Sequence, residues 1–236
     1  MERRRLKFGL RDYQGDANSG INRIFEREDH NRFAGVVLPT GGGKSFVAIS
    51  QLMTFGKKDK ENIEIDENGM INDANMLYVA PRHEILNQVK LHFVKNVLLN
   101  IDGIENMSIS EIDNYLKNNL AGVNFPGINT GLGSGEIPTR DDANAKEKIN
   151  AILRRLTIDD IDMLVTKAFP NLKFTCYAGV KDGETLDDKD ILNADFIITD
   201  EAHRLGASKW GKNFFENLRK NRDAKLLAIN SLIFGR

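Results

Sequence analysis

The segment that most constrains this chain is Leu38-Pro39-Thr40-Gly41-Gly42-Gly43-Lys44-Ser45. Ahead of it, Ala34 to Leu38 is a short apolar run with two valines, which reads as a buried strand. Behind it, Lys44 to Phe55 reads as a helix, with Val47, Ile49, Leu52 and Met53 apolar. A glycine-rich turn between a strand and a helix is a place for an anion. Glycines let the backbone turn tightly and remove side chains that would fill the space, so several N–H groups can point at one phosphate. The helix adds the positive end of its dipole. Lys44 supplies a mobile charge for β- and γ-phosphates, and the Ser45 hydroxyl is placed to ligate magnesium. The strict phosphate-loop pattern begins with glycine, whereas this one begins with Leu38. Taken alone, the turn could be purely structural.

The rest of the chain repeats the alternation. Tyr13 to Glu28 reads as a helix with Ala17, Ile21, Ile24 and Phe25 on one face. Met76 to Ala80 reads as a strand, Arg82 to Leu99 as a long helix, and the residues around Cys176 as strand. Ala194 to Thr199 is a further strand, Lys209 to Lys220 a helix and Lys225 to Ile229 a final strand. Strands alternating with helices predict an α/β fold, a mostly parallel sheet covered by helices on both faces. Ser108 to Phe169 breaks the rhythm and predicts a helical insertion over 108–169. There Ser108 with Glu111, and Thr157 with Asp160, fit capping boxes.

A length of 236 residues suits one sizeable core. The net charge of -1 gives no global field for a nucleic acid, so such a partner must meet a local basic face; Arg3, Arg4, Arg5 and Lys7 are one candidate. The single cysteine, Cys176, excludes an intramolecular disulfide and fits a reducing cytoplasm. No apolar run approaches membrane length and none follows the first arginines, so neither a span nor a signal peptide is expected.

The second chemical signal is Phe196-Ile197-Ile198-Thr199-Asp200-Glu201-Ala202-His203, an apolar strand that runs straight into two acids. The carboxyl end of a parallel strand opens into the crevice where ligands bind. Asp200 can hold magnesium, directly or through water, and Glu201 can orient and deprotonate an attacking water. A polar strand end that only caps the next helix would look similar. The combination argues otherwise: a phosphate loop and an acidic strand end, in this order within one sheet, predict a site for ATP and Mg2+. Lys44 and Glu201 are its catalytic candidates. Thr40, Gly41, Gly42, Gly43, Lys44 and Ser45 surround the phosphates, and Ser45 and Asp200 hold the metal.

These motifs resemble those of the superfamily-two DEAD/DEAH-box helicases, in particular the DEAH-type members related to restriction-enzyme translocases. Pro39 to Ser45 is similar to that family's variant phosphate loop, which accommodates Leu38, and Asp200-Glu201-Ala202-His203 to the box that names the group. The resemblance covers most of the chain outside the insertion and implies a RecA-like P-loop domain, the first of two. Leu10-Arg11-Asp12-Tyr13-Gln14 looks like the adenine-reading segment, which implies that the Gln14 amide reads the base edge and Phe8 stacks on the base. Tyr78-Val79-Ala80-Pro81-Arg82 resembles the segment that touches the nucleic-acid backbone, which implies contacts from Pro81 and Arg82. His203, by resemblance, couples the ATP site to the next motif. Read from the residues alone, Gln14 would be an exposed helix residue, Arg82 a solvated arginine and His203 a structural group.

The pattern fails after Ile229. The family's third motif, close to Ser-Ala-Thr-Pro, belongs there, but the chain continues Asn230-Ser231-Leu232-Ile233-Phe234-Gly235-Arg236 and stops. The coupling motif is thus expected to be absent or replaced, the second RecA-like domain absent, and the chain truncated relative to a working motor. The function expected is that of the ATP-binding domain of a nucleic-acid-dependent helicase or translocase, with DNA favoured over RNA. A second RecA-like domain or a partner subunit would complete it. The alternative is a non-motor nucleotide-binding or interaction fragment with negligible turnover.

Overall fold

The computed structural model describes residues 11–26, 32–58, 74–99, 106–120, 140–168, 171–177, 188–207 and 209–232. Its centre is a five-stranded sheet of β1 (Phe33–Pro39), β2 (Met76–Ala80), β3 (Leu172–Cys176), β4 (Phe196–Asp200) and β5 (Lys225–Leu232). The order is β1-β5-β4-β2-β3 and every pairing is parallel. The inner strands β2 and β4 are buried along their whole length, as near-continuous apolar strands covered on both faces should be.

Strand alternation splits the core in two. Met76, Tyr78 and Ala80 join Phe196, Ile198, Leu227 and Ile229 on one face. Covering that face are α1 (Asp12–Phe25), α2 (Lys44–Lys58), α3 (His83–Leu99), α4 (Ile109–Leu120), α5 (Arg140–Leu153) and α6 (Ile158–Ala168). Leu77, Val79, Ile197 and Leu226 face the other way, against α7 (Asp188–Leu192), a 3-10 turn at Ala202–Ala207 and α8 (Lys209–Lys220). The result is a three-layered α/β domain of RecA-like type.

The helices α4 to α6 lie between α3 and β3 in the sequence, and α5 and α6 pack on α3. Two of them start with reciprocal caps. The Ser108 N–H donates to Glu111 Oε2 (2.6 Å), while the Glu111 N–H donates to Ser108 Oγ (3.2 Å). Thr157 and Asp160 repeat the arrangement at 2.9 and 3.1 Å. These hydrogen bonds hold both carboxyls below their usual range. Among the described residues, no helix is long and apolar enough to cross a membrane.

One departure from the sequence-based expectation matters for function. The last strand does not end at Ile229 but runs to Leu232. Its neighbour supplies the reason: Val37, Leu38 and Pro39 of β1 pair with Asn230, Ser231 and Leu232. Asn230, Ser231 and Leu232, the first residues where the third motif was expected, therefore sit inside a strand, at the carboxyl edge of the sheet.

Candidate functional site

Strand order builds the site. Because β5 lies between β1 and β4, the glycine loop that leaves β1 and the acids that end β4 face each other across the end of β5. The loop is a tight turn in which the Gly42 N–H donates to the Pro39 carbonyl (2.8 Å). Gly41 and Gly43 have φ of +78° and +75°, the left-handed region that side chains disfavour. The next helix begins at once, with the Phe46 N–H donating to the Gly43 carbonyl (2.9 Å). Lys44 opens α2 and crosses to the acids. Its ammonium donates to Glu201 Oε1 and Ser231 Oγ and lies 3.8 Å from Asp200 Oδ1. Ser231 Oγ itself donates to Glu201 Oε1 (2.6 Å).

The acid pair is held from several strands. The Tyr78 hydroxyl donates to Asp200 Oδ2 (3.2 Å) and the Glu201 N–H to Asp200 Oδ1 (2.9 Å). The Tyr177 hydroxyl donates to the Asp200 carbonyl (3.0 Å). Glu201 has φ +51°, the one non-glycine residue among those described with a positive φ. Burial raises the Asp200 carboxyl above its usual range, against the pull of the Lys44 charge, and the Glu201 charge adds to the rise. Burial would raise Glu201 too, but hydrogen bonds from Lys44 and Ser231 outweigh it and hold this carboxyl low. Both phenols are pushed up, first by burial and then by the Asp200 charge, so they stay protonated donors.

Asp200 and Ser45 are hard oxygen donors, the kind magnesium takes together with phosphate oxygens and water. Ser45 stands on the first turn of α2, next to Lys44, and Asp200 stands at the end of β4, 3.8 Å from the Lys44 ammonium. The donor set therefore fits a magnesium ion bound with a nucleotide.

Comparison with protein families returns one described as "Type III restriction enzyme, res subunit", which matches residues 7–229. The chain belongs to that family. It is a family of superfamily-two helicase ATP-binding domains, so the domain is helicase-like. Neither the curated proteins nor the solved structures gave a match.

The remaining residues that the sequence predicts for the site fall as follows. Gln14 is buried at 6% exposure, not an exposed helix residue. Its Nε2 donates to the Gly42 carbonyl (2.9 Å) and its Oε1 accepts from the Arg11 N–H (3.0 Å). Tyr13 adds a second donor to the same Gly42 carbonyl (3.1 Å). Thr40 is exposed in the loop. Pro81 is buried after β2, and Arg82 is exposed at the start of α3, where its carbonyl accepts from Leu86 N–H (3.2 Å). His203 is half exposed; its N–H donates to Asn230 Oδ1 (2.9 Å) and its Nδ1 lies 3.4 Å from Glu201 Oε2. Phe8 and the basic run Arg3 to Lys7 lie outside the described residues.

Sequence reasoning missed Tyr13, Tyr78, Tyr177, Asn230 and Ser231. The signal available was position: Tyr78 and Ser231 stand on β2 and β5, the strands that prove to neighbour β4, and Tyr177 directly follows β3, one strand further out. Cys176, read as a buried small residue, is buried, with its sulfur 3.0 Å from His83 Nε2.

Proposed function

We propose that this chain is the ATP-hydrolysing domain of a nucleic-acid-dependent helicase or translocase, with DNA as its track. The observation that carries the reading is the Lys44 ammonium, shared between Glu201 and Ser231 and close to Asp200. The β- and γ-phosphates of ATP in the glycine loop compete for that ammonium. As Lys44 turns to them, Glu201 loses a partner that lowers its proton affinity and becomes a better base for the attacking water. Magnesium, held by Ser45 and Asp200, would neutralise charge on the phosphates. His203 meets Asn230 and Glu201 together, which suits the coupling role implied for it. Arg82, exposed beside the buried Pro81, is the proposed contact to the strand backbone, and Phe8 with Gln14 the proposed contacts to adenine.

Translocation needs two grips whose separation changes with ATP. The proposed motor therefore includes a second RecA-like domain or a partner subunit, which also supplies an arginine worth about a thousandfold or more in related phosphoryl-transfer sites. The word "restriction" in the family description favours DNA over RNA. The lone cysteine favours a reducing, cytoplasmic setting.

The test is ATP turnover by the purified chain with and without single-stranded DNA or RNA, beside a strand-displacement assay. Magnesium-dependent ATP binding, slow turnover raised by DNA, and no duplex unwinding by the chain alone are expected. DNA binding should weaken as salt rises. Turnover that neither nucleic acid raises would replace the motor reading with a nucleotide-binding fragment. Unwinding that Lys44→Ala abolishes would show that the chain needs no second half.

A further inference from the structure

Asp200 is gripped from both faces of the sheet. On one face, Tyr78 of β2 pairs in register with Ile198 of β4, so its ring lies on the same side as Asp200, two residues further on. The ring is fully buried and packs 5.6 Å from the Phe174 ring. Phenylalanine would serve that packing equally well. A hydroxyl in the core instead demands a partner, and the partner it has is a carboxylate oxygen of Asp200.

On the other face, Tyr177 follows β3 and belongs to the second core cluster. Its N–H is fixed to the Ala80 carbonyl (2.8 Å), and its hydroxyl reaches past β2 to the Asp200 carbonyl. That carbonyl is one end of the Asp200–Glu201 peptide. The other end, the Glu201 N–H, donates to Asp200 Oδ1. The peptide is thus pinned at both ends, immediately before a residue at φ +51°. A glutamate holds such a conformation only where its surroundings over-determine it.

We infer that Tyr78 and Tyr177 are positioning residues for the acid pair, Tyr78 fixing the Asp200 carboxylate for the metal and Tyr177 fixing the peptide that aims Glu201. The inference deepens the ATP-hydrolysis reading and rests on it. Tyr78 occupies one oxygen of Asp200 with one hydrogen bond and leaves that oxygen's second lone pair available to a metal or its water. Partners of this kind orient a ligand without touching the metal, and their loss typically costs about 10–100-fold in metal affinity or activity.

The experiment uses the full chain with Tyr78→Phe and Tyr177→Phe. A non-hydrolysable ATP analogue is titrated by calorimetry, once with magnesium and once in chelator, and ATP turnover is measured separately. For Tyr78→Phe, the tightening that magnesium confers should fall about tenfold, while affinity in chelator stays at the wild-type value. For Tyr177→Phe, binding should be unchanged under both conditions and kcat should fall about tenfold. If Tyr78→Phe weakens binding equally with and without magnesium, or changes neither, the tyrosine is a packing residue and its assignment is wrong. If Tyr177→Phe alters affinity and kcat in step, or neither, its assignment is wrong. Should Tyr78→Phe melt too low for calorimetry, the kcat-against-Kd split of Tyr177→Phe decides the proposal. A wild-type chain that binds no analogue would instead overturn the ATP reading itself, a failure distinct from either.

Discussion

The two flanks of the proposed nucleotide site are built in opposite ways. The phosphate flank is main chain, Gly41 to Gly43, at the end of edge strand β1, whose Phe33 and Val37 are about half exposed at 51% and 55%. It is braced from α1, where Tyr13 and Gln14 both donate to one carbonyl, that of Gly42. The acid flank is side chain, at the end of β4, an inner strand buried on both faces. Its braces come from β2, β5 and the residue following β3. A loop that wraps phosphates works through many N–H groups and tolerates adjustment, whereas a carboxylate that must aim a water needs rigid support from packed elements. Substitutions at Glu201 and the peptide before it should accordingly change chemistry, those at Tyr78 the tightening that magnesium confers, and those on the loop flank nucleotide binding itself.

The largest effect should separate the two. Glu201→Gln keeps the shape of the side chain but removes the base, so ATP turnover should fall about 10²–10⁴-fold. Nucleotide affinity, measured by calorimetry, should be retained. Turnover equal to wild type would move the base elsewhere and erase the distinction between flanks. Lys44 bridges them and should show both effects. Lys44→Ala removes a charge-assisted partner of the phosphates, worth about 1.5–3 kcal/mol in ATP affinity. Equal affinity for ATP in the wild type and this variant would mean that the glycine loop is not the phosphate site.

The two flanks also differ in how much of them the sequence discloses. The loop is contiguous: Pro39 to Ser45 carries its own turn chemistry and its own helix start, so its geometry was legible from neighbours in the chain. Asp200 and Glu201 were legible as an acidic strand end for the same reason. Their supports were not, because Tyr78, Tyr177 and Ser231 are 122, 23 and 30 residues away from their partners. Strand order alone brings them there, and alternating periods in a sequence give strands without their order. The third motif shows the limit most plainly. Asn230 and Ser231 do not spell the family's pattern, so the sequence reads the third motif as absent or replaced. Yet pairing with β1 extends β5, and these two side chains meet His203 and Glu201.

Gly43→Ala tests how far the loop flank tolerates change. The methyl would meet the Gln14 amide nitrogen, and the Phe46 ring at 3.3 Å, from a backbone at φ +75°. Strain of this kind costs about 1–3 kcal/mol. Thermal melting should drop accordingly, and ATP affinity should fall with it as the Gln14 brace is displaced. Gly20→Ala is the control. It lies in α1 with nothing within 4 Å of an added Cβ, so it should leave ATP binding unchanged and raise stability by about 0.4–1 kcal/mol. Similar losses from both substitutions would show that the loop is no more constrained than a helix surface.

The smallest effect, and the one that sharpens the comparison most, is that of Gln14→Ala. One amide hydrogen of Gln14 braces Gly42, and its oxygen accepts from Arg11. An amide has a second donor and a second lone pair, enough to meet an adenine edge as well. The brace serves any nucleotide, because every nucleoside triphosphate presents the same phosphates to the loop; the adenine contact serves ATP alone. Losing the brace should weaken ATP and GTP binding alike by about 0.5–1.5 kcal/mol, since Tyr13 still holds Gly42. Losing base recognition should add a further fall for ATP only, because a site built to hydrogen-bond one base leaves groups unpaired when another enters. Titrating both nucleotides into wild type and Gln14→Ala separates the contributions. A drop in the ATP-to-GTP affinity ratio on top of a common loss is expected. A common loss without a change in ratio would leave Gln14 as a brace and nothing more. No loss with either nucleotide would mean that the phosphate flank stands without α1, and that main chain alone shapes it.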